Sequence, residues 1–134
     1  MSELLECWEK DAGNIKQAFL RLRKKLTSME HISMAFKSRP GVSYSLRAHA
    51  QAESEDDMRL VTLIDVIDDD PESRWLSVCF YGEAITDEEE LGNLIPDGLL
   101  GEDGHCFDIF EYDEPLLSYL ENRIDEAYEN TRNA

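Results

Sequence analysis

Ile32-Ser33-Met34-Ala35-Phe36-Lys37-Ser38-Arg39-Pro40-Gly41-Val42-Ser43-Tyr44-Ser45-Leu46-Arg47-Ala48-His49 is the stretch on which the fold turns. Ile32, Met34 and Phe36 alternate with Ser33, Ala35 and Lys37, and after Pro40-Gly41 the alternation resumes with Val42, Tyr44, Leu46 and Ala48. Side chains of a strand alternate between faces, and Pro-Gly between two such runs is a turn with a mechanism, so the stretch reads as a β-hairpin. A rival reading stays open for residues 27–37: Thr27 and Glu30 have the spacing of a capping box, which would start a second helix.

Outward from the hairpin, the period changes. On the N-terminal side Leu4, Trp8, Ala12, Ile15, Phe19, Leu22 and Leu26 recur at three- and four-residue spacing, which predicts one helix from Glu3 to Leu26 with a weak point at Gly13-Asn14. Ser2 is its expected cap, Glu6 and Lys10 an expected i, i+4 pair, and Arg21, Arg23, Lys24 and Lys25 are expected to dock on the acidic sheet of this chain or of a second copy. On the C-terminal side, residues 50–58 read as an acidic loop, followed by a β-branched run at 60–67 and a second, aromatic-rich run at 75–81 that predict two buried strands joined by a tight turn. Four strands with short links form an antiparallel meander. Thr86 with Glu89 makes a second capping box and predicts a short helix turning Leu91, Leu94 and Ile95 to the core. Residues 105–110 read as a fifth strand, and Asp113-Glu114-Pro115 starts a last helix with the stripe Leu117, Leu120, Ile124 and Tyr128, fraying from Asn130 onward. The expected architecture is a single α+β domain over residues 1–134, a four- to five-stranded antiparallel sheet with the N- and C-terminal helices on one face. Trp8, Phe19, Leu22, Leu120, Ile124 and Tyr128 should be core.

Charge is segregated. Residues 1–49 carry a net +4 and residues 50–134 a net −21, within a total of −17. Such a balance opposes nucleic-acid and anionic-membrane partners over most of the surface. With 42% hydrophobic residues spread over the chain, it marks a folded protein rather than a disordered one. No apolar run approaches the roughly 20 residues of a membrane span. Cys7, Cys79 and Cys106 are odd in number and widely spaced, so reduced thiols in a cytoplasm are expected.

No reaction attaches to any motif. His105, Cys106 and Asp108 sit together in sequence, but neighbours on a strand face opposite ways, and Cys106 and Cys79 read as small buried residues. His31 and His49 bracket the hairpin without a third ligand, and the acidic runs at 68–70 and 87–90 lack the calcium-loop pattern. No catalytic or metal residue is therefore assigned, and no cofactor.

The order of helix, four strands, short helix, strand and helix, with Arg39-Pro40-Gly41-Val42-Ser43-Tyr44-Ser45 entering a strand and Phe107-Asp108-Ile109-Phe110 preceding a helix that ends Ala127-Tyr128, resembles small bacterial proteins of secretion-chaperone-like fold. These include type III secretion chaperones and the YjbR-like and YdhG-like proteins. The resemblance implies binding rather than catalysis. The leading expectation is a non-enzymatic, chaperone-like protein-binding module, whose partner is another protein or a second copy of itself. Its rivals are a mimic of nucleic-acid charge that binds a basic protein, and a small metal-dependent enzyme using His105, Asp108 and loop acids. Residues 82–104 combine apolar groups, glycines and carboxylates, so Leu94, Ile95, Leu99, Leu100, Glu102 and Asp103 are the candidate binding residues.

Overall fold

The N-terminal apolar stripe folds as two helices, α1 (Ser2–Cys7) and α2 (Ile15–Thr27), in a computed structural model that describes residues 1–52 and 58–133. The single helix expected from Glu3 to Leu26 breaks for two reasons. Asp11 accepts hydrogen bonds from the backbone N–H groups of Ile15 (2.8 Å) and Lys16 (3.0 Å), two donors that a continuing helix would have used internally. Gly13 meanwhile lies against the backbone of Phe110 and accepts the Tyr112 N–H at 2.7 Å. Met1 rather than Ser2 precedes α1, without a side-chain cap, and Lys10 reaches Glu72 (3.9 Å) rather than Glu6.

The hairpin reading holds, and residues 32–37 are strand. β1 (Ile32–Arg39) and β2 (Ser43–Gln51) pair antiparallel from Ile32↔Ala50 to Arg39↔Ser43. They continue into β3 (Met58–Ile67) and β4 (Trp75–Tyr81); of the acidic loop expected at 50–58, residues 53–57 lie outside those described. Two further strands follow, β5 (Asn93–Leu99) and β6 (Glu102–Ile109), giving one six-stranded antiparallel sheet in the order β1-β2-β3-β4-β6-β5, one strand more than expected. The last helix, α3 (Glu114–Arg132), is capped by Asp113, whose carboxylate accepts the Leu116 N–H at 3.2 Å. Its end does not fray at Asn130: Thr131 is buried, and Asn130 donates to the Ala84 carbonyl.

α2 and α3 cover one face of the sheet, α3 along β2 and β3 and α2 along β4. Phe19, Leu22, Leu26, Leu117, Leu120 and Ile124 meet Leu46, Ile64, Val66, Leu76, Val78, Phe80 and Phe107 in one core, with Trp8 buried at its margin and Tyr128 packed against it half-buried. Two of the expected cations of α2 dock on acidic α3 rather than on the sheet: Arg21 pairs with Glu114 and Glu121, and Lys25 with Asp125 at 2.7 Å.

The uncovered face carries Ser45, Arg47, Asp65, Ser77 and Asp108. It also holds a second cluster in which Leu60, Leu63, Leu99, Cys79 and Cys106 are buried. Cys79 and Cys106 are opposite each other in the β4–β6 register and form a disulfide, which corrects the expectation of reduced thiols; Cys7 is free and exposed. Their separation of 27 residues hid the pairing, because only strand order makes them neighbours.

Candidate functional site

Sequence reasoning places a helix at 86–95, and the structure shows none there. Asp87 is the reason. Its carboxylate accepts the N–H groups of Leu91 (3.1 Å) and Gly92 (2.9 Å), so its capping capacity closes a loop instead of opening a helix. The same carboxylate takes the Tyr119 hydroxyl at 2.6 Å and lies 2.8 Å from His105 Nε2, which ties the loop to α3 and β6. Burial works against the charge of Asp87, yet the donors of Tyr119, Gly92, His105 and Leu91 outweigh it and lower its pKa to about 2. Beside it, the Thr86 N–H and hydroxyl both donate to Glu126, and Arg123 reaches the Thr86 carbonyl and hydroxyl.

With the loop pinned, the following residues run as an edge strand, and Leu91, Leu94 and Ile95 face solvent rather than the core, at 48%, 58% and 43% exposure. The β5–β6 connection is a two-residue turn between Leu99 and Glu102, with Leu100 at φ 51° and Gly101 at φ 85°. Two successive positive φ values define the tight hairpin turn that matches strand twist, a geometry that favours Asn-Gly. Gly101 suits it; Leu100 adopts it at a steric cost and is 56% exposed. Leu99, by contrast, folds inward over Gly104, where an added Cβ would come within 3.0 Å of the Leu99 Cβ, and is buried beside the disulfide.

Between β4 and this hairpin lies an open cleft of about 520 Å³, lined by Tyr81, Gly82, Glu83, Leu94, Asp97, Glu102 and Asp103. Asp103 also accepts the Asp97 N–H at 3.0 Å, which shapes the outer strand. Of the six candidate binding residues, Leu94, Glu102 and Asp103 thus share one cleft, Ile95 is exposed on the same strand, Leu100 crowns the turn and Leu99 is interior. Sequence reasoning missed Tyr81, whose place at the cleft follows from β6 lying beside β4. Glu83 and Asp97 were within the stretch singled out but were not chosen.

The residues once grouped as a possible catalytic set are dispersed. His105 faces the helix side with Phe107, their rings 5.4 Å apart, Cys106 is in the disulfide on the other face, and Asp108 shares that other face. Asp87, not Asp108, is the partner of His105. Among the described residues no three His, Cys, Asp or Glu side chains are placed to hold a metal ion, and no helix is long and apolar enough to cross a membrane. No protein family, curated protein or solved structure matches the chain.

Proposed function

We propose that this chain is a chaperone-like protein-binding module that meets its partner at the β5–β6 hairpin. The observation that carries this reading is Leu100, an exposed leucine held at φ 51° in a turn where Asn would be relaxed and soluble. A residue kept in an unfavourable conformation, with its apolar side chain in water, points to a role that folding does not supply. Leu94 and Ile95 are further exposed apolar side chains of the same hairpin, and Glu83, Asp97, Glu102 and Asp103 line the cleft beside Leu94 with negative charge. A partner with an apolar anchor and a basic rim fits such a surface. The module reads as cytoplasmic, which requires the buried Cys79–Cys106 bond to be shielded from reductant.

Leu100→Asn separates binding from folding. The variant should raise the unfolding midpoint, by roughly 0.5–1 kcal/mol of stability from the relaxed turn. Combined with Leu94→Ser, it should abolish retention of the proteins that the immobilised wild-type chain captures from its native extract. Unchanged retention by the double variant would refute the site. The four carboxylates of the cleft also support the charge-mimic reading, in which the partner is held by charge alone. In that case retention vanishes between low and physiological salt while Leu94→Ser has no effect, because exposed charges are screened beyond about 8 Å.

A further inference from the structure

The sheet has two free edges of opposite character. At the β5 edge Pro96 lacks an N–H, the Asp97 N–H is taken by Asp103, and the register is irregular between Ile95 and Leu99. Such an edge resists another strand. The β1 edge does not: eight residues, Ile32–Arg39, pair in unbroken register with β2 and carry neither proline nor bulge. Its free side can be worked out from the ladder. Cys79 and Cys106, with Cα atoms 4.1 Å apart, form a narrow pair, which in an antiparallel ladder exchanges no backbone hydrogen bonds. Alternating across the sheet through Leu63↔Cys79 and Arg47↔Leu63, the Ala35↔Arg47 pair is the hydrogen-bonded kind. Met34, Phe36 and Ser38 therefore turn their N–H and C=O groups outward.

The side chains along this edge are equally specific. Lys37 and Arg39 are exposed on the face away from the helices, with Arg47 one strand in, and neither Lys37 nor Arg39 forms an ion pair among the described residues. From His31 to Ala52 there is no carboxylate, in a chain that has 30. On the helix side Met34 is 39% exposed and Phe36 is half-buried, its ring 6.2 Å from that of Tyr44. Lysine on an edge strand serves to repel other strands in general. The exclusion of acids from the whole β1–β2 hairpin goes further, because a mixed-charge edge would repel as well.

We infer that β1 is a docking edge for an extended acidic segment of a partner protein, added as a seventh strand. Main-chain hydrogen bonds to Met34, Phe36 and Ser38 supply the pairing, acids at alternate positions meet Lys37 and Arg39, and apolar residues between them cover Met34 and Phe36. A second copy of β1 fits less well, since its pairing would set two cationic strands side by side. This surface lies at the opposite edge of the sheet from the β5–β6 hairpin, so either site can fail without the other.

The test uses the full chain and fluorescein-labelled ten-residue peptides: alternating Glu-Val, the same composition in block order, and alternating Lys-Val. The alternating Glu-Val peptide should bind about tenfold more tightly than either control. Amide exchange should slow at Met34, Phe36 and Ser38 and stay unchanged at Ala35 and Lys37. Met34→Pro, which removes an outward N–H without touching the β1–β2 ladder, should abolish binding, and Lys37→Glu with Arg39→Glu should invert the preference toward Lys-Val. Equal affinity for the three peptides, or slowed exchange away from β1, would overturn the inference. So would a dimer that protects the β1 amides without peptide, which would make the occupant a second copy, or tighter binding of oligothymidylate at the same edge.

Discussion

Asp87 satisfies four donors with one buried carboxylate, and that fixes both its charge and the course of the loop. Its folded pKa, about 2 against an ordinary 3.8, means that ionised Asp87 contributes about 2 kcal/mol to stability. Because the folded value is depressed, that contribution is complete above 3.8 and lost as pH falls toward 2. Urea midpoints measured down through this window should fall more steeply for the wild type than for Asp87→Asn, which cannot ionise. Asp65 has the opposite sign. Burial on the uncovered face raises its pKa, with the Ser45 hydroxyl, Arg47 and Arg39 only partly offsetting it. Its charge therefore opposes folding once pH exceeds the folded value, and the penalty disappears below 3.8. Asp65→Asn, which keeps an oxygen for Ser45, should raise the thermal midpoint at neutral pH and leave it unchanged near pH 3. Neither role was legible in the sequence: Asp87 is one of four acids in the run 87–90, and Asp65 lies within the apolar run 60–67 with no partner in sequence.

Among the elements, β4 and β6 are joined covalently as well as by their ladder, through the Cys79–Cys106 bond between opposite positions. A cross-link that closes a loop of this length restricts the unfolded chain by about 3–4 kcal/mol. Cys79→Ser with Cys106→Ser should lower the guanidinium midpoint accordingly. With both cysteines nearly buried beneath Leu99, the native bond should resist dithiothreitol and yield to it only under denaturing conditions, as alkylation and mass analysis would show. The strands up to β4 were legible because each has a period-two, β-branched or aromatic-rich run bounded by turn residues. β5 was not: Asn93-Leu94-Ile95-Pro96-Asp97-Gly98-Leu99 has no alternation, holds a proline, and is a strand only because β6 lies alongside. The α1–α2 break was half legible, in Gly13-Asn14, while the Asp11 cap and the contact with Phe110 had no signal in local periodicity.

For the whole molecule, a net −17 on one small fold is self-repulsive at low ionic strength. The ion pairs that cross between α2 and α3 relieve part of this, but they are few beside the excess of carboxylates. Thermal midpoints should rise as salt is increased from about 10 mM to about 0.3 M, since screening weakens the excess repulsion more than it weakens the partly buried Arg21 and Lys25 pairs. A midpoint that fell with salt would mean that the ion pairs dominate. The charge segregation seen along the chain survives folding as position: the carboxylate-free β1–β2 hairpin forms one edge of the sheet, and the acidic β5–β6 hairpin forms the other.

By itself the sequence determined the α+β class, the two buried central strands, the last helix and most of the core, because these depend on periodicity and turn chemistry within a dozen residues. It favoured the β1–β2 hairpin while leaving residues 27–37 open between strand and helix. It also determined where charge accumulates. Only the tertiary structure decided that Cys79 meets Cys106, that Asp87 caps a loop and not a helix, that Leu99 is interior while its neighbour Leu100 is displayed, and that Tyr81 and Glu83 share a cleft with Leu94. All of these follow from the placement of β6 beside β4, with β5 outside it. That placement is a contact between segments far apart in the chain, which no local pattern of residues encodes.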